Sequence, residues 1–228
     1  IPTLKYSPSG SDFYHRYVHG RQPVVIRGAA NHWPAKEKWK NETYLRQKSG
    51  TEAFTVDTRK KFDGKVSVRK PLTISEFLDI YKTEPVYLDS PFPPSKLLHD
   101  LYLPPILNCE ELSSTISQMT LLFSNGNTTS AFHHDGYDNV IVLLSGTKHF
   151  ILIDSKYSDD VYADDAKLFP GVLPFDPEKI DFKAFPKLAK VPFYEITLYE
   201  GDMIYIPQYW WHIVRSYGSP NIAVNSWF

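Results

Sequence analysis

The spacing of apolar positions changes twice along this chain. Between Ser9 and Val18, Phe13, Tyr14, Tyr17 and Val18 recur at helical spacing behind Ser and Asp, which predicts a short helix. Pro23-Val24-Val25-Ile26 reads as a strand closed by Gly28, and Trp33, Pro34 and Trp39 are placed to cover one edge of a core. Thr73-Ile74-Ser75-Glu76 has the form of a capping box, with Leu72 and Phe77 set for a hydrophobic staple, so a helix is expected from Ile74 to Tyr81. Pro85, Pro91, Pro93, Pro94, Pro104 and Pro105 then predict an irregular stretch that lies over a sheet, with Tyr87-Leu88 as a short strand inside it.

From Ser117 onward the character changes toward strands. Strands are expected at Met119–Phe123, Asn139–Leu144, His149–Ile153, Met203–Ile206, Trp211–Arg215 and Ile222–Trp227. Ser145-Gly146-Thr147 reads as the turn of a hairpin joining the second and third of these. Asp154 to Tyr194 reads as a long polar insertion containing prolines. Many short strands with tight turns predict a mainly β protein, a sandwich or barrel.

Composition sharpens this picture. A chain of 228 residues, 42% hydrophobic and 15% aromatic, is sized for one domain: residues 1–116 as an N-terminal elaboration and 117–228 as the barrel core. A formal net charge of -1 gives little to hold nucleic acid, so that partner is not favoured. The single cysteine, Cys109, excludes an internal disulfide and a cysteine-rich zinc framework, which suits cytosol or nucleus. No apolar run is long enough to span a bilayer, so no membrane partner is expected. The opening Ile1-Pro2-Thr3-Leu4-Lys5 does not resemble a signal peptide, and a chain that starts at Ile1 reads as a processed or partial one.

The candidate chemistry lies in His133-His134-Asp135. On an extended chain His133 and Asp135 share a face while His134 points away. His212, in the apolar run Trp210-Trp211-His212-Ile213-Val214, reads as a residue of a buried strand. Brought together, the three make a facial triad of two imidazoles and a carboxylate, leaving three adjacent positions open for a chelating 2-oxo acid and O2, the pattern of non-haem Fe(II) oxygenases. A closed zinc site would need a fourth ligand, and none is evident. By itself H-x-D is a weak motif.

The surrounding residues make it specific. Ser130-Ala131-Phe132-His133-His134-Asp135 with Asn139, Gly146-Thr147-Lys148-His149-Phe150, Gly201 to Pro207 followed by Tyr209-Trp210-Trp211-His212, and Ala223 to Phe228 resemble successive segments of the JmjC-domain oxygenases. Arg21 to Gly28, His32-Trp33-Pro34 and Trp39 resemble the segment that precedes the barrel in the small JmjC-only hydroxylases. The resemblance covers nearly the whole chain. It implies a double-stranded β-helix, a jelly-roll of cupin type with flanking N-terminal helices and strands. It also implies Fe(II) at His133, Asp135 and His212, with 2-oxoglutarate as co-substrate and O2 as oxidant.

In that pattern Lys148 supplies the cation for the distal carboxylate of 2-oxoglutarate, Ser130 and Tyr87 are hydroxyl donors, and Asn139 and Asn225 are amides near co-substrate or metal. Tyr137, Asp138 and Trp227 are candidates for a substrate mouth, whereas His134 and His149 are not ligands. The expected activity is hydroxylation of a protein side chain, Arg, Lys, Asn or His, with release of succinate and CO2. The alternatives are demethylation of N-methyl-lysine in histones, hydroxylation of a tRNA base, and a silent cupin that only binds. A monomer is expected.

Overall fold

The computed structural model describes residues 1–58, 68–91, 93–163 and 172–228, and its framework is set by alternating side chains on long strands. In chain order the strands are β1 (Thr3–Leu4), β2 (Val24–Ile26), β3 (Ala53–Asp57), β4 (Arg69–Thr73), β5 (Tyr87–Pro91), β6 (Gln118–Ser124), β7 (Thr128–Thr129), β8 (Asn139–Ile153), β9 (Tyr194–Leu198), β10 (Met203–Ile206) and β11 (Trp211–Trp227). Helices α1 (Gly10–Phe13), α2 (Pro34–Lys38), α3 (Glu42–Ser49), α4 (Ile74–Ile80) and α5 (Glu110–Ser113) lie in the N-terminal half. The strands join in the order β1-β2-β10-β8-β11-β6-β5-β3-β4, with β7 added to β11 and β9 to β8. No described helix is long and apolar enough to cross a membrane.

Two long strands turn this sheet into two layers. The first half of β8 pairs with β10, from Asn139↔Ile206 to Val142↔Met203, and its second half pairs with β9, from Lys148↔Leu198 to Leu152↔Tyr194. β11 runs antiparallel to β8 from Trp211↔Ile153 to Trp227↔Asn139. Its first half is flanked by β7 and its second by β6. The major layer is therefore β10-β8-β11-β6, widened by β2 on one side and by β5, β3 and β4 on the other. The minor layer is β9-β8-β11-β7. This is the mainly β, cupin-like jelly-roll that the sequence predicts.

The hairpin predicted at Ser145-Gly146-Thr147 does not form. β8 continues through it, and the chain is kinked instead of reversed: Gly146 sits at φ +85 opposite a register shift between Tyr217 and Ile222 of β11, where Gly218 has φ +80. Likewise, Trp211–Arg215 and Ile222–Trp227 are the two ends of a single 17-residue strand. A glycine at positive φ serves a tight turn and a bulge equally well, and the choice falls to the partner strand that continues past it.

Alternation along β8 and β11 sorts side chains into three clusters. Val140, Val142, Leu144, Ile222 and Val224 face outward from the major layer against Phe13, Trp33, Trp39, Ile74 and Phe77 of the N-terminal half. Ile141, Leu143, Phe150, Leu152 and Ala223 fill the space between the layers. Ile151, Ile153, Trp211 and Ile213 face outward from the minor layer and are covered by Val161, Leu173, Leu188 and Val191. Those last four come from the segment predicted to be a polar insertion, of which residues 164–171 lie outside the described ones. Its apolar residues are spaced without period because the backbone is irregular, and only the sheet beneath it shows them to be a lid on a core.

The N-terminal helices follow local rules. Ser9 caps α1 by accepting from Asp12 N, and a π turn over Tyr14–Val18 completes the predicted segment. At α4 both halves of the capping box are present: Glu76 N donates to Thr73 Oγ1 at 3.2 Å and Thr73 N donates to Glu76 Oε2 at 2.7 Å. Tyr87–Leu88 grows into the five-residue β5, whose Leu88–Pro91 pair with β6 and so bring the Pro-rich segment into the sheet.

A Cβ at position 146 would lie 2.5 Å from Asn221 Nδ2 and 2.8 Å from Tyr217 O, at a φ that side chains disfavour. Gly146→Ala is therefore expected to destabilise the fold by about 1–3 kcal/mol. Denaturant unfolding checks this; a midpoint equal to wild type would show that the bulge relaxes freely.

Candidate metal centre

The segment 128–133 runs antiparallel along the first half of β11, with a one-residue slip between Ser130 and His133. β7 pairs with Arg215 and Ser216, Ser130 N donates to Val214 O at 3.0 Å, and Val214 N donates to Ser130 Oγ at 2.9 Å. His133 and His212 then form a direct backbone pair, His133 N to His212 O at 3.0 Å and His212 N to His133 O at 2.7 Å. Their rings lie side by side, with centroids 4.4 Å apart. Asp135 completes the group, with its carboxylate oxygens 3.8 Å from His133 Nε2 and 3.3 Å from His212 Nε2. One potential ligand atom from each of the three residues lies within 4.8 Å of the others.

Both imidazoles are held in the same way. Each Nδ1 sits 2.9 Å from the carbonyl two residues earlier, Ala131 for His133 and Trp210 for His212. A backbone carbonyl can only accept, so Nδ1 carries the proton and the Nε2 lone pair faces Asp135. Burial, aided by the neighbouring His212, pushes His133 down to about 4, against the pull of Asp135 and the Ala131 carbonyl. At neutral pH it is an uncharged donor. For Asp135 burial acts upward, but the neighbouring His212, with His133 and His134, outweighs it and holds the carboxyl below its ordinary range. Two imidazoles and one carboxylate oxygen suit a divalent transition metal.

A cavity of about 470 Å³ opens from this cluster between the two layers, within the roughly 300–1,000 Å³ common for small-molecule sites. Tyr87, Ser130, His133, Asp135, Asn139, Lys148, His212, Asn225 and Trp227 all line it. Lys148 lies at the opposite end from the triad. It is 3% exposed, and its Nζ donates to Ser216 Oγ at 2.8 Å with no carboxylate in contact among the described residues. Burial alone lowers it from 10.5 to about 8. Ser216 and His212 are four residues apart on the same face of β11, roughly 13 Å of strand. Asn139 Oδ1 and Asn225 Oδ1 are buried without a hydrogen-bond partner among the described residues, polar atoms that a bound ligand would satisfy. Tyr87 is raised by burial first and then by Asp89 and Asp57, so its phenol stays protonated and can donate.

Not every residue singled out in the sequence reaches the cavity. Asp138 does not line it; its carboxylate accepts from Tyr205 OH at 2.5 Å and Gln208 N at 3.1 Å, fixing the loop beside β10. Tyr137 is exposed and also absent from the lining. Trp227 is present, its Nε1 donating to Thr120 Oγ1 at 3.1 Å. His134 turns away from the triad and packs edge-on against Trp211, while His149 contacts Glu195. Ser130 uses its hydroxyl on backbone, donating to Ala131 O at 2.8 Å. Asp89, Gln118 and Thr120 line the cavity and were not singled out in the sequence. Asp89 stands two residues after Tyr87 and shares its face by strand parity, so it could have been found. Gln118 and Thr120 are legible only once β6 is registered against β11, opposite Trp227 and Asn225.

Fold and site together define a cupin-like domain that carries a candidate metal centre. Residues 10–228 match the Cupin-like domain family, and the chain belongs to it, among the JmjC-domain oxygenases. It is 29% identical over 225 residues to lysine-specific demethylase JMJ30 of Arabidopsis thaliana, covering 95% of this chain and 52% of that protein. It is 27% identical over 245 residues to Jumonji C domain-containing protein 5 of Drosophila melanogaster, covering 100% and 59%. It is 24% identical over 267 residues to the bifunctional peptidase and (3S)-lysyl hydroxylase JMJD7 of Homo sapiens, covering 100% and 84%. The chain thus spans little more than half the length of the first two.

A buried ammonium without a counter-ion weakens the fold that holds it. Below about pH 8 the charge is carried in the folded state at full cost; between about 8 and 10.5 the folded state releases the proton before the unfolded one, and stability rises with pH. Lys148→Met is therefore expected to stabilise the ligand-free protein at pH 7, on the order of 3 kcal/mol, and to remove that rise. Thermal melts from pH 7 to 10.5 measure both, and a Met variant that melts lower at pH 7 would refute the account.

Proposed function

We propose that this chain is an Fe(II)- and 2-oxoglutarate-dependent hydroxylase of protein side chains, of the Lys, Arg, Asn or His type. One observation carries the reading: a buried lysine with no carboxylate partner among the described residues closes one end of a cavity whose other end is a cluster of two imidazoles and a carboxylate. A dicarboxylic 2-oxo acid fits that arrangement, with one end toward the metal ligands and the other toward the ammonium. His133 Nε2, Asp135 and His212 Nε2 would hold the iron; Lys148, with Tyr87, Ser130, Asn139 and Asn225, would hold 2-oxoglutarate. Bound there, iron and co-substrate supply the activation of O2 and the oxidation of a C–H bond, with succinate and CO2 as co-products.

The protein's own residues do the positioning. The Ala131 and Trp210 carbonyls set the imidazole tautomers, so both Nε2 atoms are ready without reorganisation. Lys148, steadied by Ser216, fixes the far carboxylate with a charge-assisted hydrogen bond. Tyr87 adds a hydroxyl donor, and turning the Asn139 or Asn225 amide by half a revolution offers NH2 in place of oxygen. Ile141, Leu122 and Val214 give the cavity apolar walls that exclude water. Support for a protein substrate comes from the relatives named for action on lysine. N-methyl-lysine demethylation is the second reading, carried by the demethylase name of the Arabidopsis relative, and formaldehyde release from methylated peptides separates it from hydroxylation.

Replacing His133, Asp135 or His212 by Ala is expected to lower Fe(II)-dependent succinate formation at least ~100-fold, together with loss of Mn(II) binding seen by electron paramagnetic resonance. Wild-type turnover in any of the three would refute the assignment. Lys148→Ala is expected to keep Mn(II) affinity while raising the 2-oxoglutarate concentration needed. In the wild type, binding needs the ammonium, so affinity for 2-oxoglutarate should fall by up to about tenfold per pH unit above about 8. Calorimetric titration between pH 7 and 10 reads this, and a flat profile would exclude Lys148 as the anchor.

A further inference from the structure

A second charge without a partner faces the same cavity. Strand alternation on β5 puts Tyr87, Asp89 and Pro91 on one side, while Leu88 and Ser90 are buried on the other. Asp89 stands opposite Leu122 of β6, and Leu122 opposite Ala223 of β11, a cross-strand row on the cavity side of the major layer. Asp89 and Leu122 both line the cavity. Among the described residues, no hydrogen bond or ion pair reaches the Asp89 carboxylate. Arg69, the cation whose charge it feels, is engaged instead by Asp57 at 3.1 Å.

A part-buried carboxylate left without a partner destabilises the fold, as the unpaired Lys148 does. Burial is the largest influence on Asp89 and raises it, and Asp57 and Asp135 add to the rise against Arg69. A doubly anionic co-substrate placed between the triad and Lys148 is repelled by Asp89, so the space beside Asp89 belongs to a different molecule. Charge complementarity makes that molecule a cation. Leu122 alongside offers apolar wall to a methylene stem, which suits a long side chain with a charged end.

We propose that Asp89 is a specificity-determining residue: it pairs with the ammonium or guanidinium of a Lys or Arg side chain in a polypeptide substrate and selects basic side chains over Asn and His. The inference rests on the hydroxylase reading above and narrows it.

The test uses peptide pools identical except for the central residue: Lys or Arg, their neutral counterparts norleucine or citrulline, Asn, and His. Each pool is dialysed to equilibrium against protein loaded with Mn(II) and 2-oxoglutarate without O2, and the retained peptide is quantified by mass spectrometry. Retention of the Lys or Arg pool is expected to exceed that of the neutral pools at least tenfold, and Asp89→Asn to reduce it to their level. Equal retention of all pools by the wild type overturns the proposal. So does a cation preference that survives in Asp89→Asn, or in Asp89→Ser should the first variant not fold. Succinate formation by the Fe(II)-loaded wild type is read separately: its absence sinks the hydroxylase reading, whereas its presence without cation preference sinks only the role of Asp89.

Discussion

The pairing of β8 with β11 over their full length carries the rest of the structure. Each strand is kinked once, at Gly146 and near Gly218, and each therefore belongs to both layers. Because the two kinks face each other, the strands stay paired on both sides of the register shift and carry the ladder from one layer into the other. His212, Ser216, Asn225 and Trp227 come from β11 and Asn139 and Lys148 from β8. The remaining ligands are attached to the same ladder, since the segment of His133 and Asp135 is hydrogen-bonded along β11. A shift of one residue in that register would turn all of these side chains to the opposite face.

What fills the cavity walls follows from the same parity. Every second residue of the two strands packs against the N-terminal helices or the segment over the minor layer. The residues between them are apolar in the middle and polar at the two ends. The charges kept inside are not neutralised by one another. Among the described residues Lys148 has a hydroxyl, Asp89 has no hydrogen bond or ion pair, and the imidazoles have carbonyls behind them and open nitrogen in front. Each of these groups weakens the empty protein, and each is complemented by a ligand of opposite character. Placing them at separate ends of one cavity lets anionic and cationic ligands occupy it side by side.

Much of this was legible in the residues. The capping box at Thr73, the strands at Met119 and Met203, and the opposed faces of His133 and His134 follow from local rules that tertiary context did not override. Short elements with weak patterns escaped: α3, capped by Asn41 but with little amphipathicity, and β9, whose Tyr194–Leu198 alternation is brief. β3 and β4 were also missed. They join the sheet through β5 at its edge, where burial imposes less pattern. Asp138 illustrates the opposite failure, a carboxylate placed at a mouth by resemblance that turns out to be tied to Tyr205 and a backbone amide.

The triad marks the division between chain and fold. The residue types, the two-residue spacing of His133 and Asp135 and the apolar setting of His212 are properties of the chain, because strand parity is a local consequence of backbone geometry. That His212 stands beside His133, that Lys148 lies a strand's length away without a counter-ion, and that Asp89 looks into the same space depend on register between segments far apart in sequence. A glycine at positive φ is compatible with both a hairpin and a bulge. Only the pairing of β8 with β11 on both sides of the register shift selected the bulge, and with it the shape of the cavity.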